Sequence, residues 1–305
     1  LHEEAVTAFL QSAAVCRVLG TELEYRNLVG FAIDSCHRSD PLRAVELLSQ
    51  HSESMERHQL PLLAGKCERD AAEVLEKNGF LEAALQHYER ARSLFSNDFR
   101  AEQDRLGCDA RIRYLMCSLG RYTEVAMMFQ EYGERKTSVN LSSTNSYMLT
   151  VLSVLAAASG DNFACGVPRA HRKFLELQDE DTNFRKGKEF ELLKNLFIGF
   201  DKSSLHIIDT AIAKYRSCSV QENTPIFDIL IAKCRDNLYQ VLKPYFDEYE
   251  EIDQRNAQQA VKGRTRKVDV FGIFPLLLFR FERLRDDHPN HQHTHTHTHI
   301  HHVSN

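Results

Sequence analysis

Apolar and polar residues alternate along the chain in helical stripes, and the breaks between stripes recur about every 40 residues. Four turn-and-helix segments begin 39, 41 and 40 residues apart, and an early alanine marks the helix in the first three. These segments are Asp40–Ser54, Gly79–Ser93, Gly120–Glu134 and Gly160–Phe174. A fixed period of this length is typical of repeat proteins that stack helix pairs on their neighbours.

A second set of helices is predicted between the first, because apolar residues recur there at i, i+3, i+4 and i+7. The set comprises Glu22–Arg38, Leu60–Lys77, Arg100–Leu119 and Ser143–Ser159. No segment has the strict alternation of a strand. The pattern predicts an all-α, tetratricopeptide-like α-solenoid of antiparallel helix pairs. Leu47, Tyr88 and Phe129 are expected in its core, and Glu68 on a polar helix face.

The spacing changes after residue 185, where three further helices are predicted at Glu189–Phe200, Leu205–Arg216 and Pro225–Leu242. A solenoid needs a cap over its last apolar face, and these helices are expected to supply it. The predicted organisation is a solenoid over residues 1–185, a helical bundle cap over 186–245, and a linker with a tail over 246–305. Residues 256–267 are polar and basic and indicate linker.

The last part of the chain contrasts with the rest. Val270–Phe281 is an apolar run that is too short to span a bilayer, which takes about 20 residues. Eight of the 15 histidines follow it, several of them alternating with threonine. Such a tract can bind metal, but alternating His-Thr is also what a translated CA dinucleotide repeat encodes. We favour the second interpretation and leave the tail out of the fold prediction.

Composition, net charge and absent motifs argue against several classes of function. With 13 glycines and 7 prolines among 305 residues, a glycine-rich phosphate-binding fold is disfavoured. A net charge of -5 excludes a generally basic nucleic-acid binder. The eight cysteines are scattered and form no CxxC pair. We therefore interpret them as small apolar side chains of a protein in a reducing compartment rather than as disulfide partners. HExxH, GxSxG and P-loop motifs are absent, and His87 and His206 are interpreted as structural. We therefore expect no enzyme, no cofactor and no metal.

Six segments, in order, resemble the soluble NSF attachment protein (SNAP) family over about Glu4–Tyr239; whether the alpha/beta or the gamma type is closer is unresolved. They are AFLQSAAVCRVLG (Ala8–Gly20), SDPLRAVELL (Ser39–Leu48), AGKCERDAAEVLE (Ala64–Glu76), LEAALQHYERARSLF (Leu81–Phe95), GRYTEVAMMFQEYG (Gly120–Gly133) and Lys173–Asp201. The resemblance implies an adaptor. SNAP proteins coat the four-helix SNARE bundle and recruit the NSF ATPase, which takes the bundle apart.

The resemblance also implies site residues. Lys66 and Arg111 match basic positions that the family uses against SNAREs, and Arg113 lies nearby. Gly107 and Asn145 stand where the family has further lysines, so the basic face is thinner.

The acidic residues Asp247, Glu248, Glu250 and Glu251 are the candidates for contact with NSF, in place of the family's acidic C-terminus. The family's membrane-contacting loop would precede residue 1, which is Leu rather than Met. We therefore expect a fragment of a cytoplasmic protein that touches membranes peripherally through a segment upstream.

Two other functions stay open. One is a SNAP-like scaffold for a different protein partner, as in the huntingtin-associated protein that shares this architecture, and the thinner basic face favours it. The other is an all-α repeat enzyme, such as a prenyltransferase-like subunit, with metal held by the His-rich tail.

Overall fold

The computed structural model describes residues 2–36, 40–96, 98–138, 142–218 and 225–261. These residues form α-helices joined by short turns, and no strand occurs among them. The helices are α1 His2–Leu19, α2 Glu22–Cys36, α3 Pro41–Arg57, α4 Pro61–Lys77, α5 Leu81–Phe95, α6 Glu102–Ser118, α7 Tyr122–Ser138, α8 Thr144–Ala157, α9 Phe163–Glu180, α10 Lys188–Asp201, α11 Leu205–Cys218 and α12 Pro225–Val261. Neighbours along the chain pack in pairs. The predicted all-α helix-pair solenoid is confirmed.

Tight turns of one kind connect many of these helices. Gly79 and Gly120 follow α4 and α6 with φ of +82° and +77°. Gln59 and Ser203 follow α3 and α10 with φ of 59° and 50°. After each of the four, the next residue donates its N–H to the carbonyl five residues back, at 2.8–3.0 Å. This is the Schellman motif, which satisfies carbonyls at a helix end. The glycines that mark the sequence period therefore end helices.

Helix α8 lies at the centre of the C-terminal half. Its side chains are buried on almost every side, because α7, α9, α10 and α12 all pack against it. Asn237 of α12 donates its amide N–H to the Ala156 carbonyl at 2.9 Å, and Cys234 Sγ lies 3.4 Å from the Leu152 carbonyl. Helix α12 thus closes over α8.

Helix α12 is longer than the sequence pattern predicts. It continues to Val261, past Leu242, which is the last buried residue among the side chains that the structure describes. The acidic residues and the first part of the predicted linker are therefore helical, since Glu, Gln and Ala are good helix formers. We call Lys243–Val261 distal α12. The apolar run and the His-rich tail lie outside the described residues.

Two clusters of apolar side chains form the core. A small one joins α1, α2 and α3 and includes Ala71 of α4, and a much larger one extends from α4 to α12. Leu47 belongs to the first, while Tyr88 and Phe129 belong to the second, so their prediction as core is confirmed. The prediction that Glu68 lies on a polar helix face is wrong, because its side chain is fully buried where α4 packs against neighbouring helices.

Candidate functional site

Ion pairs connect α4 to α6. Arg69 pairs with Asp104. Arg111 pairs with Glu76, whose Oε2 lies 3.2 Å from the arginine Nε, and its guanidinium lies 4.8 Å from the centroid of the Tyr114 ring. Since residues three and four apart share a helix face, these groups form one surface. We call it the α4–α6 face.

Lys66 lies on the same face, one turn before Arg69, and is half-buried. No carboxylate of the described residues lies within ion-pair distance of its ammonium group. Gly107 is exposed between Asp104 and Arg111, with open space where a side chain would begin. The face therefore offers Lys66 as a free cation, while its two arginines are already neutralised.

Arg113 does not belong to the α4–α6 face. Two residues along a helix correspond to a rotation of about 200°, so Arg113 lies on the opposite side of α6 from Arg111. Its guanidinium is 4.9 Å from the centroid of the Tyr132 ring and 5.5 Å from that of Phe129, both on α7. Only 8% of Arg113 is exposed. The structure thus places Lys66 and Arg111 on one face, although Arg111 contacts Glu76, which lies ten residues beyond Lys66 on α4. It places Arg113 on the other side of α6.

The four acidic candidates are all exposed on distal α12. They are Asp247, Glu248, Glu250 and Glu251. Glu251 pairs with Arg255 at 2.7 Å, one turn further on. Phe246 is 48% exposed beside them and stacks on Tyr239 with ring centroids 6.4 Å apart. Distal α12 is thus an acidic helix that also presents an aromatic side chain to solvent.

A buried charge cluster that the sequence did not indicate surrounds Glu68. Its Oε2 lies 2.7 Å from His87 Nδ1, and its Oε1 lies 3.5 Å from Arg90 Nε. Arg90 also pairs with Glu56 of α3 at 2.6 Å. Burial would raise the pKa of Glu68, but hydrogen bonds from His87 and Ser52 and the charge of Arg90 outweigh it, so this pKa is lowered. His87 is therefore structural, as expected, and His206 is exposed.

The described residues were also compared with the requirements of a metal site, a membrane span and a disulfide. Within the described ranges no three His, Cys, Asp or Glu side chains are grouped as metal ligands. No described helix is both long and apolar enough to cross a membrane. All eight cysteines are free thiols, and Cys36, Cys108, Cys117 and Cys234 are buried.

Comparison with known families gives a match. The family model described as soluble NSF attachment protein, SNAP, matches residues 1–224, which is the part of the chain that precedes α12. A search of curated proteins finds no significant match. The family match covers well over half of the chain and includes helices α1 to α11. The chain therefore belongs to the soluble NSF attachment protein family.

Proposed function

We propose that the protein is an adaptor that binds assembled SNARE bundles and recruits and stimulates the NSF ATPase during vesicle-mediated transport. The observation that carries this proposal is the family match over residues 1–224. Proteins of the family are adaptors rather than enzymes. The chemistry of ATP hydrolysis would then belong to the partner.

Two surfaces are available for the two partners. The α4–α6 face, with Lys66 and Arg111, is the proposed contact with acidic residues of the SNARE bundle. Distal α12, with Asp247, Glu248, Glu250 and Glu251, is the proposed contact with NSF. Exposure of all four carboxylates supports the second assignment. Aligned charges at such surfaces set register and encounter rate more than affinity.

The SNARE contact is tested by binding of the purified chain to an assembled SNARE bundle at several salt concentrations. Reversing both Lys66→Glu and Arg111→Glu should weaken binding about five- to tenfold, since exposed ion pairs contribute roughly 0.5–0.7 kcal/mol each. The matched control reverses Lys202→Glu and Lys214→Glu, which are exposed elsewhere. Undiminished binding of the first pair would remove the α4–α6 face from the proposal.

Two gain-of-function variants sharpen this test. Glu76→Gln releases Arg111 from its carboxylate partner. Gly107→Lys adds a cation where a side chain has open space. If the face receives an acidic partner, both should strengthen binding by a few fold. Stimulation of NSF ATPase is measured in parallel, with Glu248→Lys and Glu250→Lys expected to reduce it.

A second candidate function is a scaffold for another protein. Pairing of Arg111 with Glu76 and of Arg69 with Asp104 favours it, because a charge-paired face attracts an acidic bundle weakly. Affinity capture that recovers one large helical-repeat protein and no NSF would support the scaffold. Recovery of SNAREs together with NSF would support the adaptor instead.

A further inference from the structure

An open groove of about 400 Å³ lies between α1 and α3 and is lined by residues of α1, α2 and α3. We call it the N-terminal groove. Its volume falls in the range of ligand-binding clefts, roughly 300–1,000 Å³. Ala14 and Val18 of α1 and Gln50 of α3 line it and are exposed, so a ligand can enter from solvent.

One end of the N-terminal groove is aliphatic. It is lined by Leu10, Ala13 and Ala14 of α1, Val29 of α2 and Leu47 of α3. Successive helices of the array are antiparallel, so α1 and α3 run in one direction and α2 in the other. These five residues therefore all lie toward the end of the groove where α1 begins. None of their side chains has a polar group, and this end suits an apolar chain.

Polar side chains gather at the other end of the N-terminal groove. They are Arg17 of α1, Tyr25 of α2, and Gln50 and His51 of α3. The Arg17 guanidinium lies 5.9 Å from the centroid of the Tyr25 ring, and that ring lies 6.4 Å from the ring of His51. Among the described side chains, no carboxylate pairs with Arg17 and no group hydrogen-bonds to the Gln50 amide. This end therefore presents N–H donors and a positive charge, which suit a carboxylate.

We propose that the N-terminal groove binds a medium-chain fatty acid, with its carboxylate at Arg17 and Gln50 and its tail along the aliphatic end. Leu10 and Arg17 are about 10 Å apart along α1, which is the length of a medium acyl tail. An extended peptide fits less well, because its backbone amides would meet no polar side chain at the aliphatic end. This site goes beyond the proposed function, since it requires neither a SNARE bundle nor NSF.

The test uses the full chain and a dansyl-labelled undecanoate, whose fluorescence reports binding. Decanoate should displace this probe with a Kd on the order of 0.1 mM, as expected for a ligand of its size. Arg17→Gln should weaken decanoate binding about five- to tenfold, because it removes charge-assisted hydrogen bonds, and should leave displacement by uncharged decanol unchanged. The matched control, Arg172→Gln, removes the same charge from an exposed position on α9 and should stay within about twofold of wild type.

A second pair of variants tests the aliphatic end. Ala14→Phe fills the groove from an exposed position and should abolish probe binding. Ala8→Phe adds the same ring at an exposed position of α1 that does not line the groove, and should leave binding unchanged. Circular dichroism checks that all variants fold.

Several results would overturn the proposal. One is that decanoate fails to displace the probe from wild type, and another is an equal loss in a variant and its matched control. A third is that decanol displaces the probe as well as decanoate does, since the carboxylate would then not be recognised. Better displacement by a dileucine peptide with a free C-terminus would assign the groove to peptides instead. SNARE and NSF binding, measured on the same variants, decides the proposed function separately.

Discussion

The two ends of the helix array are built differently. In the C-terminal half, α8 is covered on nearly every side and the apolar cluster is continuous from α4 to α12. In the N-terminal part, α1–α3 share a small cluster that reaches α4 only at Ala71. Around the first turn, Val18 is 87% exposed and Leu19 70% exposed. We therefore expect the same helix-pair repeat to differ in local stability between these regions, depending on how many neighbours each helix has.

This difference predicts that the array opens from its N-terminal part. In repeat proteins each helix pair contacts only its neighbours, and the helices of the small cluster bury fewer apolar side chains than those around α8. Helices that pack around α8 should open only when the whole domain unfolds. Amide hydrogen exchange of the unmodified chain should therefore be faster in α1 and α2 than in α8.

The largest expected effect comes from a cavity in the central helix. Leu152 of α8 is 0% exposed, and Leu152→Ala should lower the free energy of unfolding by about 3–4 kcal/mol. Leu47→Ala in the small cluster should cost about 2 kcal/mol, since Leu47 keeps 8% exposure and its site can relax. Urea denaturation followed by circular dichroism measures both values.

The region in which hydrogen exchange accelerates should distinguish these two variants more clearly than the size of the loss in unfolding free energy. Leu47→Ala should speed exchange in α1–α3 and leave α8 protected, whereas Leu152→Ala should speed exchange throughout. If both variants accelerated exchange over the whole chain alike, the array would unfold as one unit. The contrast between its two ends would then be wrong.

Much of this fold follows from sequence periodicity. Gly79 and Gly120 mark the period because both end a helix with positive φ. The sequence did not reveal the length of α12, because its apolar pattern stops at Leu242 while its helix propensity continues. Nor did it reveal that α12 would close over α8. That contact joins residues more than 80 positions apart, as between Asn237 and Ala156.

The candidate site was harder to predict, because ion pairs form between distant residues. Arg111 and Glu76 are 35 residues apart, and nothing in either segment indicates that they neutralise one another. Helix geometry alone, however, does separate Arg113 from Arg111, since a spacing of two points to opposite faces. Grouping the two arginines as one basic cluster overlooked that constraint.

An intermediate effect is expected at the border between the two ends, where Glu68 connects them. Glu68 contacts α5 through His87 and Arg90, and Arg90 continues to Glu56 of α3. Its folded-state pKa is lowered from about 4.5. Glu68 therefore stabilises the fold above the unfolded pKa, and that stabilisation is lost as the pH falls through the folded pKa. Glu68→Gln should cost about 2–3 kcal/mol at neutral pH.

The pH dependence identifies this role. As the solution is acidified below about pH 4.5, the difference in unfolding free energy between wild type and Glu68→Gln should shrink, because wild type also loses the charge. Glu124→Gln is the control, since the side chain of Glu124 is 46% exposed and pairs with Arg121, the residue that precedes α7. A gap that stayed constant down to acidic pH would mean that the charge of Glu68 does not stabilise the fold.

The smallest expected effect concerns the left-handed residue of the Schellman motif, which occurs in both parts of the array. Gln59 and Ser203 occupy the left-handed position that Gly79 and Gly120 occupy elsewhere. A residue with a side chain is strained in this conformation by about 1–2 kcal/mol. Replacing it with glycine removes the strain, but glycine also has more conformational freedom in the unfolded state, which cancels part of the stabilisation. Gln59→Gly and Ser203→Gly should each stabilise by about 0.5–1 kcal/mol. Gly79→Ala, the converse change, should destabilise by about 1 kcal/mol.

Where that stabilisation appears depends on the region. Ser203 lies between α10 and α11, which belong to the large core, so Ser203→Gly should raise the urea midpoint of the main transition. Gln59 lies between α3 and α4, at the border of the two cores, so Gln59→Gly should mainly slow exchange in α3. If Gln59→Gly slowed amide hydrogen exchange equally in α3 and α8, a change at the border would stabilise both parts of the array equally. In that case the separation of the two cores would have no energetic consequence.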